Sequence, residues 1–95
     1  MFGKHLHRLR LEKKVSMRTL AVKAGVDFSY ISQIEHSKRQ PSREVIVRLS
    51  QALGADPDEF LVAAGYLPRD VGKILSRDPR RSLLYIREKL AKYGG

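Results

Sequence analysis

The stretch SMRTLAVKAGVDFSYISQIEHSKRQPS, residues 16–42, decides the fold. Ser16 is a good helix cap, and behind it Met17, Leu20, Ala21 and Ala24 recur at helical spacing to form one apolar face. Gly25 stands where a left-handed residue closes a helix; Val26 can plug the angle that follows, and Asp27 can cap a second helix. In that second helix, at about 100° per residue, Ile31 and Ile34 define a narrow inward stripe that Asp27 shares. Ser29, Ser32, Gln33 and His36 fall on the opposite side. A helix that needed only solvation would more usually carry Lys and Glu there. This face is small, neutral and hydrogen-bonding.

Working outward, every other segment is also helical. Phe2, Leu6 and Leu9 mark a helix before the stretch, and Ser42 caps one after it with Val45, Ile46, Leu49 and Leu53, ended by Gly54. Asp56-Pro57 opens a fifth helix by the cap-then-proline signal, with Asp58 and Glu59 near its positive end and Phe60, Leu61 and Ala64 on its apolar side. Beyond Gly65 the chain changes character. Tyr66-Leu67-Pro68 is a connector, Val71, Ile74 and Leu75 mark a brief sixth helix, and Asp78-Pro79 opens a last one with Leu83, Ile86, Leu90 and Tyr93 on one face. Leu84 and Tyr85 widen that face beyond what one packing partner needs. The expected architecture is therefore all-α: a five-helix unit over residues 1–65, with two further helices over residues 66–95.

Composition narrows the function. Of 95 residues, 42% are apolar and 31% charged, which suits a globular chain with one modest core. No cysteine is present, so disulfide frameworks, cysteine-ligated zinc and thiol catalysis are excluded. The longest apolar run, Phe60 to Leu67, is broken by Gly65 and falls short of a membrane span, and the start has no signal-peptide pattern. The net charge is +9, from 19 Lys and Arg against 10 Asp and Glu. Residues 1–50 carry 11 of the basic and 4 of the acidic residues, so the excess sits in the half that holds the two-helix stretch. A basic module presenting a short polar helix after a tight turn has the make-up of a helix-turn-helix, spanning residues 17–36, that meets a polyanion.

The residues also carry a resemblance. Ser16-x-x-x-Leu20-Ala21-x-x-x-Gly25-Val26, then Tyr30-Ile31-Ser32-x-Ile34-Glu35, then Lys38-Arg39-x-Pro41-Ser42, then Leu49-x-x-Ala52-Leu53-Gly54 resembles the Cro/C1-type (Xre family) DNA-binding domain, across roughly residues 3–64. The resemblance implies a lambda-repressor-like fold whose second motif helix enters the major groove of double-stranded DNA. Carried over, it puts Phe28, Ser29, Ser32 and Gln33 at base-facing positions, and Arg18, Tyr30, Lys38, Arg39 and Arg43 at or beside backbone-contacting ones. Arg10 and Glu35 match the ion pair that fixes helix orientation in the family. It further implies a cytoplasmic, nucleoid-associated regulator of a prokaryote or phage, acting as a repressor on a palindromic operator without any cofactor. The same fold serves antitoxins, whose C-terminal helices also bind a protein partner, and protein-bridging coactivators.

Three departures stand out. Met17 occupies a place where glutamine is common, and Ser37 one where a glycine usually makes a left-handed turn. Residues 28–36 contain no Arg or Lys, so bidentate reading of guanine is not available from them; Gln33 suits an adenine edge and Phe28 a thymine methyl.

The other candidates read as structure. His5 and His7 are two apart and do not face each other on a helix, so they make no metal pair. Asp56, Asp58 and Glu59 fit a helix start better than a calcium loop. No Ser-His-carboxylate spacing or glycine-rich phosphate loop suggests an enzyme. Lys13-Lys14 reads as a solvated helix end or a phosphate contact. For Leu83, Leu84, Ile86, Leu90 and Tyr93 two outcomes are open: they cover the five-helix core, or they pack on a second copy. One module buries only about 600–1,000 Å² on DNA, which favours a homodimer.

Overall fold

The computed structural model describes the backbone of residues 2–94 and the side chains of residues 2–91. Among the described residues there are seven helices and no strand: α1 (Phe2–Glu12), α2 (Met17–Ala24), α3 (Phe28–Glu35), α4 (Arg43–Ala52), α5 (Pro57–Ala63), α6 (Arg69–Arg77) and α7 (Pro79–Gly94). The capping chemistry read from the sequence positions most of their starts. The Ser16 hydroxyl accepts from the Thr19 amide at 3.0 Å, and Ser42 from that of Val45 at 3.3 Å. Asp56 accepts from Asp58 and Glu59, with Pro57 in the first turn, and Asp78 accepts from Arg81 with Pro79 behind it. Asp27 differs. It is the N-cap of α3 but makes no side-chain cap bond, and it is exposed rather than part of the inward stripe. A cap residue has extended backbone angles, here φ −70° and ψ 148°, so the helical projection does not reach it.

Helices α1 to α5 wrap one core made of Phe2, Leu6, Leu20, Ala21, Ala24, Ile31, Ile34, Val45, Ile46, Leu49, Leu53, Phe60 and Leu61. The Phe2 and Phe60 rings meet edge-on at 5.6 Å, tying the start of the chain to α5. Val26 packs against this core from the α2–α3 turn, and Met17 does so from the start of α2. Gly25 at φ +69° makes that turn, with the Val26 amide closing onto the Ala21 carbonyl at 3.0 Å.

The last two helices form a separate layer. Helix α7 packs on α6, and α6 has no buried residue. Leu83, Leu84 and Leu90 are 46%, 58% and 62% exposed, and Ile86 is half-buried. In the single chain these four side chains do not cover the five-helix core, whose buried apolar residues all lie between Phe2 and Leu61, and α7, at 16 residues, is not a short cap. The side chain of Tyr93 lies outside the described residues. The molecule measures 44 × 26 × 24 Å with a radius of gyration of 15.3 Å. A compact chain of this length would have about 12 Å. The difference is the projecting arm. No helix among the described residues is long and apolar enough to cross a membrane.

Candidate nucleic-acid interface

Helix α3 is held by its inner side and offers its outer one. Ile31 and Ile34 are 0% and 1% exposed, while Ser29 and Gln33 are exposed and Phe28 stands 43% open at the first turn. Ser32 is half-buried. The His36 ring folds back over its side of the helix: Nδ1 donates to the Ser32 carbonyl at 2.7 Å and lies 3.5 Å from the Ser32 hydroxyl. A carbonyl only accepts, so the proton sits on Nδ1 and His36 turns its other nitrogen outward.

Cations flank this face. The Arg18 guanidinium reaches across from α2 to lie 5.4 Å over the Phe28 ring, and that of Arg39 lies 5.1 Å over Tyr30. Lys38 is exposed beside Arg39 in the loop after α3. That loop leaves the helix through Ser37, which is left-handed at φ +58°, and the Lys38 amide closes onto the Gln33 carbonyl at 2.8 Å. The turn geometry expected of a glycine is thus made by a serine. Arg43 is placed differently. Half-buried at the start of α4, it donates from Nη1 to the Leu67 carbonyl at 2.6 Å and stacks 5.1 Å over Tyr66, so it is turned to the connector and not to the α3 face.

The only carboxylate on α3 is removed from that face. Glu35 points inward, with its side chain 4% exposed, and takes a bidentate bond from Arg10, Nε to Oε2 at 2.6 Å and Nη2 to Oε1 at 3.1 Å. Arg10, 7% exposed, also donates from Nη1 to the Val15 carbonyl at 2.9 Å. One guanidinium thereby joins the end of α1, the α1–α2 loop and the end of α3. His7 adds a bond from Nδ1 to Glu35 Oε1 at 2.7 Å. Burial alone would push the Glu35 carboxyl up; the bonds from Arg10 and then His7 outweigh it and hold the carboxyl below the ordinary range. The bond to Glu35 in turn raises the Arg10 guanidinium, against its burial. Among the described residues no buried side-chain N or O atom lacks a partner.

The Arg10–Glu35 pair is where the sequence reading put it. Three participants went unread. His7 lies three residues before Arg10 on the same helix face, a spacing that could have flagged it. Gly3 gives no such signal: a Cβ there would overlap the Ile34 carbonyl oxygen and come within 2.9 Å of that of Glu35, so only glycine lets α1 lie against the end of α3. Gln40 bonds to the Ala64 carbonyl at 2.9 Å across 24 residues of chain. His5, by contrast with His7, lies edge-on to Phe60 at 5.5 Å, so the two histidines serve different neighbours.

Comparison with known proteins agrees with this geometry. A family model described as helix-turn-helix matches residues 6–60. The chain is similar to the HTH-type transcriptional repressor RghR of Bacillus subtilis, 37% identical over 67 residues, which are 70% of this chain and 50% of that protein. It is similar in structure to the restriction-modification controller protein C.AhdI from Aeromonas hydrophila, with TM-score 0.60, 39% identity, and coverage of 62% of this chain and 89% of that one. It also resembles a SinR protein/SinI protein complex, with TM-score 0.60 and 25% identity, covering 99% of this chain and 100% of that chain. The chain spans about half the length of the first curated relatives it matches. The curated relatives are named as HTH-type transcriptional regulators, and this chain belongs to their family, the Cro/C1-type helix-turn-helix proteins.

Proposed function

We propose that the protein binds double-stranded DNA sequence-specifically, as a homodimer on a palindromic operator, and represses transcription by occupying it. The observation that carries this reading is the outer face of α3: neutral and hydrogen-bonding at Ser29 and Gln33, anchored from behind by Ile31 and Ile34, and flanked by Arg18, Lys38 and Arg39. Phe28, Ser29, Ser32 and Gln33 touch base edges; Arg18, Tyr30, Lys38 and Arg39 hold phosphates. Two such helices enter successive major grooves about 34 Å apart. The dimer forms through α6 and α7, whose apolar side chains stay exposed in the single chain. On this reading the protein acts on the nucleoid, in the cytoplasm.

Selection of binding sequences from random duplexes tests it. Half-sites should carry A·T pairs where Gln33 and Phe28 reach, and Gln33→Ala should relax selectivity there by about 1–3 kcal/mol. Log K should fall with log salt by about 0.9 per neutralised phosphate, and Lys38→Ala or Arg39→Ala should each reduce the slope by about 1. Guanine-only half-sites, or a slope near zero, would sink the reading.

A second reading keeps the DNA interface and gives residues 66–95 a different protein as partner. It is favoured by the same open apolar face, and by the likeness along the whole chain to a complex of two proteins. Sedimentation of the purified chain separates them: a monomer at micromolar concentration supports the second.

A further inference from the structure

The connector that roots the C-terminal arm is gripped by the segment that follows the phosphate-facing loop. Gln40 Nε2 donates to the Ala64 carbonyl at 2.9 Å, the Tyr66 hydroxyl donates to the Pro41 carbonyl at 3.1 Å, and Arg43 Nη1 donates to the Leu67 carbonyl at 2.6 Å. The Arg43 guanidinium also stacks on the Tyr66 ring. Pro41 and Pro68 are buried, and Tyr66 packs against the core. Each bond spans 24 or 25 residues, so none of them is a by-product of local helix formation.

Left to itself, this connector would hinge. Gly65 sits at φ +88° with nothing within 4 Å of where a Cβ would lie, and α6 begins only at Arg69. The bonds at Tyr66 and Leu67, beyond Gly65, remove that freedom, while Gln40 secures the Ala64 end from which the connector leaves. They also fix the arm to a particular place, since residues 40–43 follow directly on Lys38 and Arg39. The root of the arm and the loop behind α3 therefore move as one body.

We propose that Gln40, Tyr66 and Arg43 are spacing-determining residues: they lock the dimerising arm to the loop behind the recognition helix, and so make the protein reject operators whose half-sites stand one base pair closer or farther apart. The proposal rests on the homodimer reading above. One base pair moves a half-site by about 3.4 Å and turns it by about 34°. A hinged arm absorbs both displacements. A latched arm cannot, and the misfit falls on the contacts of α3.

The experiment titrates the full chain against duplexes carrying two selected half-sites, with the central spacer at its selected length and one or two base pairs shorter or longer. A duplex with a single half-site serves as control. The wild type should lose about tenfold or more in affinity per base pair of spacer change, on the scale of one mismatched position. The double variant Gln40→Ala/Tyr66→Leu keeps an apolar side chain on the core but removes two of the three bonds and the ring on which Arg43 stacks, leaving the Arg43–Leu67 bond as the latch's last contact. Its spread across spacers should fall below about threefold, with single half-site affinity and the dimer constant within about twofold of wild type. Tyr66→Phe removes only the hydroxyl and should narrow the spread partially; it carries the test if the double variant does not fold. An unchanged spread in a folded variant overturns the proposal, as does a wild type indifferent to spacer length. A uniform loss on every probe, single half-site included, overturns it by making these residues part of the DNA surface. A chain that stays monomeric on the two-site duplex brings down the homodimer reading and the latch with it, whereas a spacer-blind dimer brings down the latch alone.

Discussion

Helices α1–α5 and helices α6–α7 carry apolar faces of the same helical period, yet the first group buries them and the second leaves them open. In the head, Leu6, Leu20, Ile31, Ile46 and Leu49 are all 0% exposed. In the arm, Ile74, Leu84, Tyr85 and Leu90 are each more than half exposed. Five short helices joined by tight turns can point every stripe at one centre. Two helices have only each other, and a face as wide as that of α7, with Leu83, Leu84 and Ile86 spread around it, cannot be covered by one neighbour. Period thus tells that a face will be covered; the number of elements available tells whether the same chain can do it.

The largest expected effects probe that contrast directly. Phe60→Ala should destabilise the head by about 3–5 kcal/mol in urea unfolding, because the ring fills the core between α1 and α5. Leu84→Ala or Leu90→Ala should change the same transition by less than about 0.5 kcal/mol, as surface substitutions do, while weakening dimerisation measured by sedimentation. A loss above about 2 kcal/mol in the head from either arm variant would mean that α7 packs on it after all.

Next in size is the buried ion pair, which has no counterpart among the described residues of the arm. Glu35→Gln leaves the Arg10 guanidinium buried opposite an uncharged amide. The amide oxygen still accepts one bond, so the expected cost is about 2–3 kcal/mol, at or below the usual loss when one partner is removed. The pH dependence follows from the depressed carboxyl. The folded state binds this proton less readily than the unfolded chain does, so the contribution is fully present above the ordinary glutamate value of 4.5 and is lost as pH falls through the lower folded value. The gap between wild type and Glu35→Gln should therefore be widest at neutral pH and close in acid. A gap independent of pH would remove the charge from the explanation. Glu88→Gln, on the exposed arm, should change stability at neutral pH by less than about 0.5 kcal/mol.

Two glycines sharpen the comparison at smaller scale. Gly3→Ala drives a methyl into the carbonyls that end α3 and should cost about 1–3 kcal/mol by overpacking. Gly72→Ala meets nothing within 4 Å inside α6 and should instead favour the arm's helix by up to about 1 kcal/mol, read as added helicity. The same substitution thus takes opposite signs in the two regions.

The difference between regions also marks what the sequence could disclose. Helix order, the caps at Ser16, Ser42, Asp56 and Asp78, the turn at Gly25 and the inward isoleucines of α3 all follow from spacing and residue type within a few positions, and they were legible. So was the Arg10–Glu35 pair, through the resemblance. What escaped depends on contacts across many residues: His7 on Glu35, Gly3 against α3, and the bonds from Gln40 and Arg43 to the connector. Arg43 illustrates the limit. The resemblance put it at or beside a phosphate-contacting position, but a guanidinium at a helix start serves a carbonyl and an aromatic ring equally well, and only the folded chain shows that the Leu67 carbonyl and the Tyr66 ring are within reach.

The smallest expected effect lies at the edge of the candidate interface. Ser37 and Lys14 are the non-glycine residues with positive φ among those described, at +58° and +57°, and both follow helices of the head. A left-handed L-residue costs roughly 1–2 kcal/mol, whereas a glycine gives back about 0.5–1 kcal/mol of that through the greater freedom of its unfolded chain. Ser37→Gly should therefore raise stability by about 0.5–1 kcal/mol, and Ser37→Ala, which keeps the Cβ, should not. Since the glycine preserves the turn that delivers Lys38 and Arg39, DNA affinity should stay within about twofold of wild type. A gain in stability accompanied by a marked loss of affinity would show that the serine hydroxyl, not the turn alone, belongs to the DNA-facing surface. A loss of stability would show instead that the hydroxyl, which lies against Gly3, contributes more than the strain it accompanies.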